Sequence, residues 1–458
     1  MYNYSRRDFF KTAGLGALCA ALPGCMDTLK AISDSAFAVR HPPEVEKPNI
    51  ILIMADDLGY GDLGCYGNRE IETPNIDTLA DGGMRFTDFH SNGAVCSPTR
   101  AALLTGRYQQ RCGIEGVITA KSHRHTGMSL EETTFAEVLK RAGYSTALFG
   151  KWHLGYDVKF NPTKQGFDIF CGYVSGNIDY HSHIDQCGYE DWWQNEKLVA
   201  EKGYSTDLIT EYGVRFIRRH KDRPFCLYLA HEAPHYPYQG RADKADRSSF
   251  GKFPVQGSRK DKRAAYKQMV EAMDEGVGEI VSAVKQLGLE RRTFIFFCSD
   301  NGANRKGSNK PFSGYKGSLW EGGHRVAGIA YWPGKIKAGS VTGETALTMD
   351  IFPTLVSIGQ ATIPVELKPD GVDLLGTFLH GKKLAERTLF WRFKQDMAVR
   401  KGPWKLLVEK EKYYLFNLDL DIGEKNNLAS LEVSKVNELK AELRVWQEQV
   451  CAEVERRA

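Results

Sequence analysis

The sequence predicts an α/β protein: a mixed, mostly parallel central sheet flanked by helices, followed by a small C-terminal antiparallel sheet plus helix. Three observations carry this prediction. From about residue 48, short uninterrupted apolar runs alternate with stretches of helical periodicity, the pattern of a sheet buried on both faces. Between two such runs, Val270, Met273, Val277, Ile280, Val281, Val284 and Leu287 recur at three- and four-residue steps before Gly288. After about residue 385 the pattern changes to short strands.

Taken in chain order, residues 1–25 read as a signal peptide. Ser5-Arg6-Arg7-Asp8-Phe9-Phe10-Lys11 is a charged start resembling a twin-arginine leader, and Ala13 to Leu22 is an apolar stretch too short to span a membrane. Leu22-Pro23-Gly24-Cys25 resembles a lipobox, with Pro23 in place of the usual small residue. The expectation is export, either to the periplasm or to a lipid anchor at Cys25 on a bacterial cell envelope. Residues 26–47 read as a linker, 48–385 as the catalytic domain and 386–458 as a C-terminal subdomain.

Within the body, Asn49 to Ala55, Ser145 to Phe149, Phe225 to Ala230 and Thr293 to Cys298 read as strands. Phe135, Val138, Leu139 and Ala142 mark a helix ended by Gly143. Near the end, Lys405 to Val408 and Tyr413 to Leu418 read as strands, and Val436, Leu439, Leu443 and Trp446 mark a terminal helix.

Composition narrows the function classes. The chain has 458 residues, and 61 Lys and Arg against 57 Asp and Glu leave a net charge of +4, too near neutral for a nucleic-acid binder. Ten Cys are scattered without a C-x-x-C pair, which argues against a zinc ribbon or a disulfide-dense scaffold and leaves room for one or two disulfides.

Polar groups follow each of the four strand runs: Asp56-Asp57, Lys151 with His153, His231 with His235, and Asp300-Asn301. Ligand sites of open α/β sheets lie beyond the carboxyl ends of the strands, so these groups can converge. Three carboxylates and an amide make an all-oxygen set suited to Ca²⁺ and, less well, to Mg²⁺. Read singly, Asp56-Asp57 is more readily a helix cap, and Asp300-Asn301-Gly302 a turn.

In Cys96-Ser97-Pro98-Thr99-Arg100, Ser97 reads as an N-cap, Pro98 as the first helical position and Gly106 as the stop. Cys96 is thereby placed at a helix N-terminus, where unpaired amides and Arg100 favour an oxyanion. A lone Cys can equally be a buried structural thiol.

C-x-P-x-R followed by Leu104-Thr105-Gly106-Arg107 resembles the signature of the type I sulfatases of the alkaline phosphatase superfamily. The resemblance extends over about residues 48–450. It takes in Ala55-Asp56-Asp57-Leu58-Gly59-Tyr60-Gly61-Asp62, Gly150-Lys151-Trp152-His153-Leu154-Gly155, Ser299-Asp300-Asn301-Gly302, Lys316-Gly317-Ser318 and Glu321-Gly322-Gly323-His324-Arg325-Val326. Tyr414-Leu415-Phe416-Asn417-Leu418 to Asn427 is similar to the family's C-terminal subdomain.

The resemblance implies that Cys96 is oxidised to Cα-formylglycine by a formylglycine-generating enzyme, and that one Ca²⁺ is bound by Asp56, Asp57, Asp300, Asn301 and the oxidised residue 96. It further implies that one hydroxyl of the hydrated aldehyde attacks sulfur, and that the other lets the adduct collapse to aldehyde and sulfate once the alcohol has left. Arg100, Lys151 and Lys316 would hold the sulfate oxygens, His235 would protonate the leaving group, and His153 would be the second-step base. His231 is left between a supporting role and that of a buried core histidine.

The stretch from Phe170 to Trp193 is rich in aromatic and His residues without clear periodicity. Ser175, Tyr180, His183 and Trp192 are its candidate sugar-binding residues, with packing of the loop as the alternative. Segment 241–263 carries eight Lys or Arg and three Asp or Glu, and is expected to steer a sulfated glycan or to be simply solvated. The sequence therefore reads as a sulfatase acting on a sulfated carbohydrate, with no nucleic-acid partner. A phosphodiesterase or phosphonate monoester hydrolase of the same superfamily, and a catalytically silent sulfoglycan-binding protein, are the alternatives.

Overall fold

The computed structural model describes residues 47–455; the twin-arginine leader, the Cys25 lipobox and the linker as far as Glu46 lie outside the described residues. Strand β1 (Asn49–Ala55) is fully buried along its length and shows why its sequence is continuously apolar. Ile50, Leu52 and Met54 enter one hydrophobic cluster, whereas Ile51, Ile53 and Ala55 enter another on the opposite face. The strand's period of two is kept, but both faces are core. Each large side chain so buried contributes about 1.5–3 kcal/mol relative to exposure.

The strands that follow it, as far as residue 347, are β2 (Met84–Phe86), β3 (Phe89–His90), β4 (Ser145–Lys151), β5 (Ile169–Tyr173), β6 (Trp193–Gln194), β7 (Lys197–Leu198), β8 (Phe225–Ala230), β9 (Thr293–Ser299), β10 (Arg325–Val326), β11 (Gly328–Tyr331), β12 (Ser340–Thr342) and β13 (Ala346–Leu347). Nine of them join β1 in one ten-stranded sheet in the order β12-β2-β11-β9-β1-β8-β4-β5-β6-β7. The central five, from β9 to β5, are parallel, and the expected mostly parallel sheet is observed. A smaller sheet joins β10, β3 and β13.

Helices cover both faces. The Lys262–Gln286 helix packs Met269, Val270, Met273, Val277, Ile280 and Val284 onto one face, as its spacing predicted. The opposite face receives Ala101, Leu103 and Leu104 of the Cys96–Thr105 helix, together with the Phe135–Arg141 and Ile351–Ile358 helices.

The C-terminal antiparallel sheet has four strands, β14 (Thr388–Phe393), β15 (Asp396–Lys401), β16 (Trp404–Glu409) and β17 (Lys412–Asn417), of which the sequence pattern had indicated the last two. Leu439, Leu443, Trp446 and Val450 of the Val433–Glu455 helix pack with Trp391, Val399, Leu406 and Leu415 of this sheet, and the same cluster includes Ala94, Ala102, Tyr108 and Leu347. Among the described residues, no helix is long and apolar enough to cross a membrane. Among the described residues, none of the eight cysteines is joined in a disulfide.

Register aligns the strand ends that matter. Pairing of β1 with β9 ends at Ala55 opposite Ser299, pairing with β8 at Met54 opposite Ala230, and β4 meets β8 at Gly150 opposite Ala230. The residues that follow, Asp56, Asp300, His231 and Lys151, therefore leave the sheet at one edge.

Candidate active site

Backbone hydrogen bonds hold this edge together: Asp300 N donates to Ala55 O at 3.1 Å, His231 N to Met54 O at 2.9 Å and Asp56 N to Ala233 O at 3.1 Å. Asp57 turns away through a left-handed backbone, φ 64°, and His153 does the same at φ 58°. Such conformations cost about 1–3 kcal/mol in non-glycine residues and persist where surrounding contacts enforce them.

Cys96 begins its helix, but the cap differs from expectation. Val95 occupies the N-cap position without a side-chain hydrogen bond, whereas the Ser97 hydroxyl accepts from the Ile118 amide at 3.1 Å. Pro98 then sits third in the helix, where its missing N–H is still tolerated. Gly106 ends the helix at φ 70°, as expected. The Cys96 thiol is buried, and burial pushes its pKa up, so the unmodified side chain is a poor nucleophile.

Asp56, Asp57, Asp300 and Asn301 are all fully buried. Ligand atoms of Asp56, Cys96 and Asp300 lie within 4.8 Å of one another, as do those of Asp56, Asp57 and His235. Cations surround them. Lys151 Nζ pairs with Asp56 Oδ2, Lys316 Nζ reaches Asp57 Oδ1 at 2.6 Å, and Arg100 Nη2 reaches Asp300 Oδ2 at 2.7 Å. Burial pushes the Asp56 carboxyl up, and the neighbouring Asp300 and Asp57 charges add to it. Burial acts on Asp57 too, but Lys316 and His235 outweigh it and hold that carboxyl well down.

Two oxygens in the cluster have no hydrogen-bond partner: Asp56 Oδ1 and Asn301 Oδ1. The Asn301 amide nitrogen is engaged, donating to Asp57 Oδ1 at 2.8 Å, which leaves its oxygen as the free end. Buried oxygens left bare cost about 1–3 kcal/mol each, and a hard cation would satisfy both. The residues present fit such an ion.

The histidines are poised differently. His235 Nδ1 meets the Tyr236 carbonyl at 2.7 Å; because a carbonyl only accepts, Nδ1 carries the proton and Nε2 faces Asp57 Oδ2 at 3.7 Å. His153 has the opposite arrangement: Nε2 donates to the Ile118 carbonyl at 3.0 Å and Nδ1 is buried without a partner. Burial lowers both pKa values, helped by Lys316 at His235 and by Lys151 at His153. His231 is buried with Nδ1 unpartnered, and burial brings it to about 4, so it stays neutral.

Close packing of glycines fixes the segment that carries Lys316. Gly302 N donates to Gly323 O at 3.0 Å, and a β-carbon on Gly302 would lie 1.9 Å from the Gly322 carbonyl oxygen. A side chain there would push the Asp300 turn off the Glu321 segment.

The structure places the four sugar-binding candidates in packed surroundings. Ser175, Tyr180, His183 and Trp192 are all buried. Tyr180 OH donates to the His235 carbonyl at 2.9 Å and its ring stacks on Tyr204. His183 stacks on Trp192 at 4.4 Å, and Trp192 Nε1 donates to Glu201 at 3.0 Å. Ser175 Oγ donates to the Asn177 carbonyl at 3.0 Å. The aromatic faces of Tyr180, His183 and Trp192 are engaged in this packing.

The cleft that does open over Asp57, of about 400 Å³, is lined by Tyr236, Gln256, Asn304, Arg305, Lys306 and Lys316. Sequence reasoning passed over Asn304-Arg305-Lys306, and its one signal was proximity to Asp300-Asn301. Gln256 does fall within the basic 241–263 segment.

The chain resembles known proteins over most of its length. Residues 48–361 match the family model described as Sulfatase. The chain is 36% identical over 417 residues to mouse (Mus musculus) N-acetylgalactosamine-6-sulfatase, covering 85% of this chain and 76% of that protein. It is also 36% identical to human (Homo sapiens) arylsulfatase A, over 81% of this chain and 76% of that protein. Among solved structures, Ps i-CgsB in complex with k-i-k-neocarrahexaose superposes with a TM-score of 0.79 at 31% identity, covering 88% of this chain and 93% of that one.

Proposed function

The chain belongs to the sulfatase family, whose members are sulfuric ester hydrolases, and we propose that it cleaves sulfate esters on a sulfated carbohydrate, using a formylglycine at position 96 and one Ca²⁺. The observation that carries the reading is the pairing of a helix-initial Cys96 with buried oxygen ligands, two of whose oxygens lack partners. The carbohydrate part draws support from the relatives, one named for N-acetylgalactosamine-6-sulfate chemistry and one solved with a neocarrahexaose.

Asp56, Asp57, Asp300, Asn301 and residue 96 would hold the ion. Bound there, the ion would polarise a sulfate oxygen, and the oxidised side chain would supply the attacking hydroxyl. Lys151 and Lys316 have ammonium groups already beside the carboxylates, and with Arg100 they place three fixed cations where a sulfate's negative oxygens would lie.

His235 is the leaving-group acid. Its Nδ1 proton is committed to the Tyr236 carbonyl, so the transferable proton must sit on Nε2, the atom facing Asp57. Burial and Lys316 hold the His235 pKa well down; an arriving sulfate anion would oppose Lys316 and favour the protonated ring. His153, with a bare and buried Nδ1, is the base of the second step.

Maturation requires a formylglycine-generating enzyme, and the leader directs export to the periplasm or to a lipid anchor. The test is sulfate release from sulfated galactans, fucans and glycosaminoglycan fragments. Wild-type enzyme co-produced with the maturase releases sulfate from at least one of them and Cys96→Ala releases none. Equal release by both would reject the reading.

A further inference from the structure

A second, larger cleft of about 830 Å³ borders the first. Arg305 and Lys306 line both. Five basic residues face the larger one: Arg263, Lys267, Arg305, Lys306 and Lys310. Arg263 pairs with Glu70 at 2.5 Å and Lys267 with Glu271 at 3.4 Å. Arg305, Lys306 and Lys310 have no carboxylate partner among the described residues.

The acids lining this cleft are already committed. Asp62 is buried and accepts from the amides of Gly59 and Ser308, both at 2.8 Å, and from Tyr266 OH at 2.6 Å. Asp261 accepts from the Ala264 amide at the start of its helix. Three unpaired cations on one wall, with no free acid opposite them, form a site for anions. On the same wall Tyr315 is 45% exposed, with the Arg305 guanidinium 5.5 Å from its ring centroid. An exposed ring beside cations can take the apolar face of a sugar while the cations take its charged substituent.

We propose that this larger cleft is a second anion subsite, holding a sulfate or carboxylate group on a neighbouring sugar of the chain whose ester lies over Asp57. The proposal rests on the sulfated-carbohydrate reading above. Arg305 and Lys306, shared by the two clefts, span the junction, and Lys310 and Tyr315 belong to the second cleft alone. The enzyme accordingly selects chains with at least two charged units over single sulfated sugars.

The test measures binding, so that it reads independently of turnover. In a Cys96→Ala background, calorimetry compares a sulfated galactan hexasaccharide, a glycosaminoglycan hexasaccharide and a monosulfated monosaccharide. Lys310→Glu is expected to weaken binding of at least one hexasaccharide about tenfold or more, the size of a lost charge-assisted contact, and to leave the monosaccharide unchanged. Tyr315→Ala is expected to act in the same direction. Lys310 and Tyr315 are exposed, so both variants fold. Equal affinities in parent and variants, or no hexasaccharide binding to the parent, would overturn the proposal. Failure of the matured wild type to release sulfate from any ester would instead reject the function proposed above, while the binding comparison would still decide the subsite.

Discussion

Arg100 holds Asp300 through two nitrogens on one oxygen: Nη2 and Nε reach Oδ2 at 2.7 Å and 3.1 Å, and Nη1 donates to the Lys151 carbonyl at 3.2 Å. One buried guanidinium thus joins the helix begun by Cys96 to the ends of β9 and β4. Arg100→Lys retains charge but cannot make this fork. The expected result is a loss of about 10²-fold in kcat/KM, as for removal of one preorganised donor, with a folded protein by circular dichroism. Activity within a factor of two of wild type would contradict it.

Asp56 Oδ1 and Asn301 Oδ1 are left bare in the folded chain, so chelation should destabilise the enzyme. Treatment with a chelator is expected to lower Tm and Ca²⁺ to restore it, whereas Asp57→Ala should show neither effect. Burial and the adjacent Asp300 and Asp57 charges raise the Asp56 pKa, so a proton competes with the cation there. Ca²⁺ affinity should therefore fall as pH falls, by up to about tenfold per unit for one competing proton. Calorimetry at pH 6 and pH 8 checks the sign, and equal affinity at both would contradict it.

The buried aromatic loop gives a different expectation from a sugar platform. Trp192→Ala should cost about 3–5 kcal/mol of stability, as expected for a large aromatic removed from a packed core. Its effect on kcat/KM should be the same for a sulfated oligosaccharide and for nitrophenyl sulfate. Tyr180→Phe removes the hydrogen bond to the His235 carbonyl, worth about 1 kcal/mol, and should lower kcat more on poor leaving groups. A loss confined to the oligosaccharide would return Trp192 to a binding role.

Asp88 ties the C-terminal sheet to the body: Arg400 of β15 reaches its two oxygens at 2.9 Å and 2.7 Å, and Arg325 approaches at 3.1 Å. Burial raises the Asp88 pKa, but Arg400 and Arg325 outweigh it and hold the carboxyl well below its ordinary 3.8. A depressed pKa stabilises fully above the unfolded value and is lost as pH falls below it towards the folded one. Asp88→Asn should then cost about 3–5 kcal/mol at pH 7 and less at pH 3. Urea unfolding at the two pH values measures the difference; a constant gap would contradict the assignment.

Much of this architecture was legible because apolar runs and motif residues share the same strand ends. Asn49 to Ala55 announces a doubly buried strand, and Asp56-Asp57 must then leave at its carboxyl end. The aromatic loop was not legible in the same way. Residues such as Tyr180 and Trp192 suit a ligand or a core equally, and no periodicity tells which way they face. Ser97 looked like a cap because its hydroxyl suits that position, yet that hydroxyl serves Ile118 instead. Strand β14 was obscured by alternating burial along Thr388–Phe393, where Arg392 interrupts the apolar pattern. Arg305 and Lys306 carry no motif of their own, and only the folded loop sets them beside Asp57.

The central claim is that residue 96 acts as an aldehyde and not as a thiol. Mass spectrometry of the tryptic peptide spanning Phe86 to Arg100, taken from fully active enzyme, tests it most directly. The account predicts loss of the Cys96 sulfur and gain of an aldehyde oxygen, in proportion to specific activity across preparations. An unmodified Cys96 thiol in fully active enzyme would contradict it.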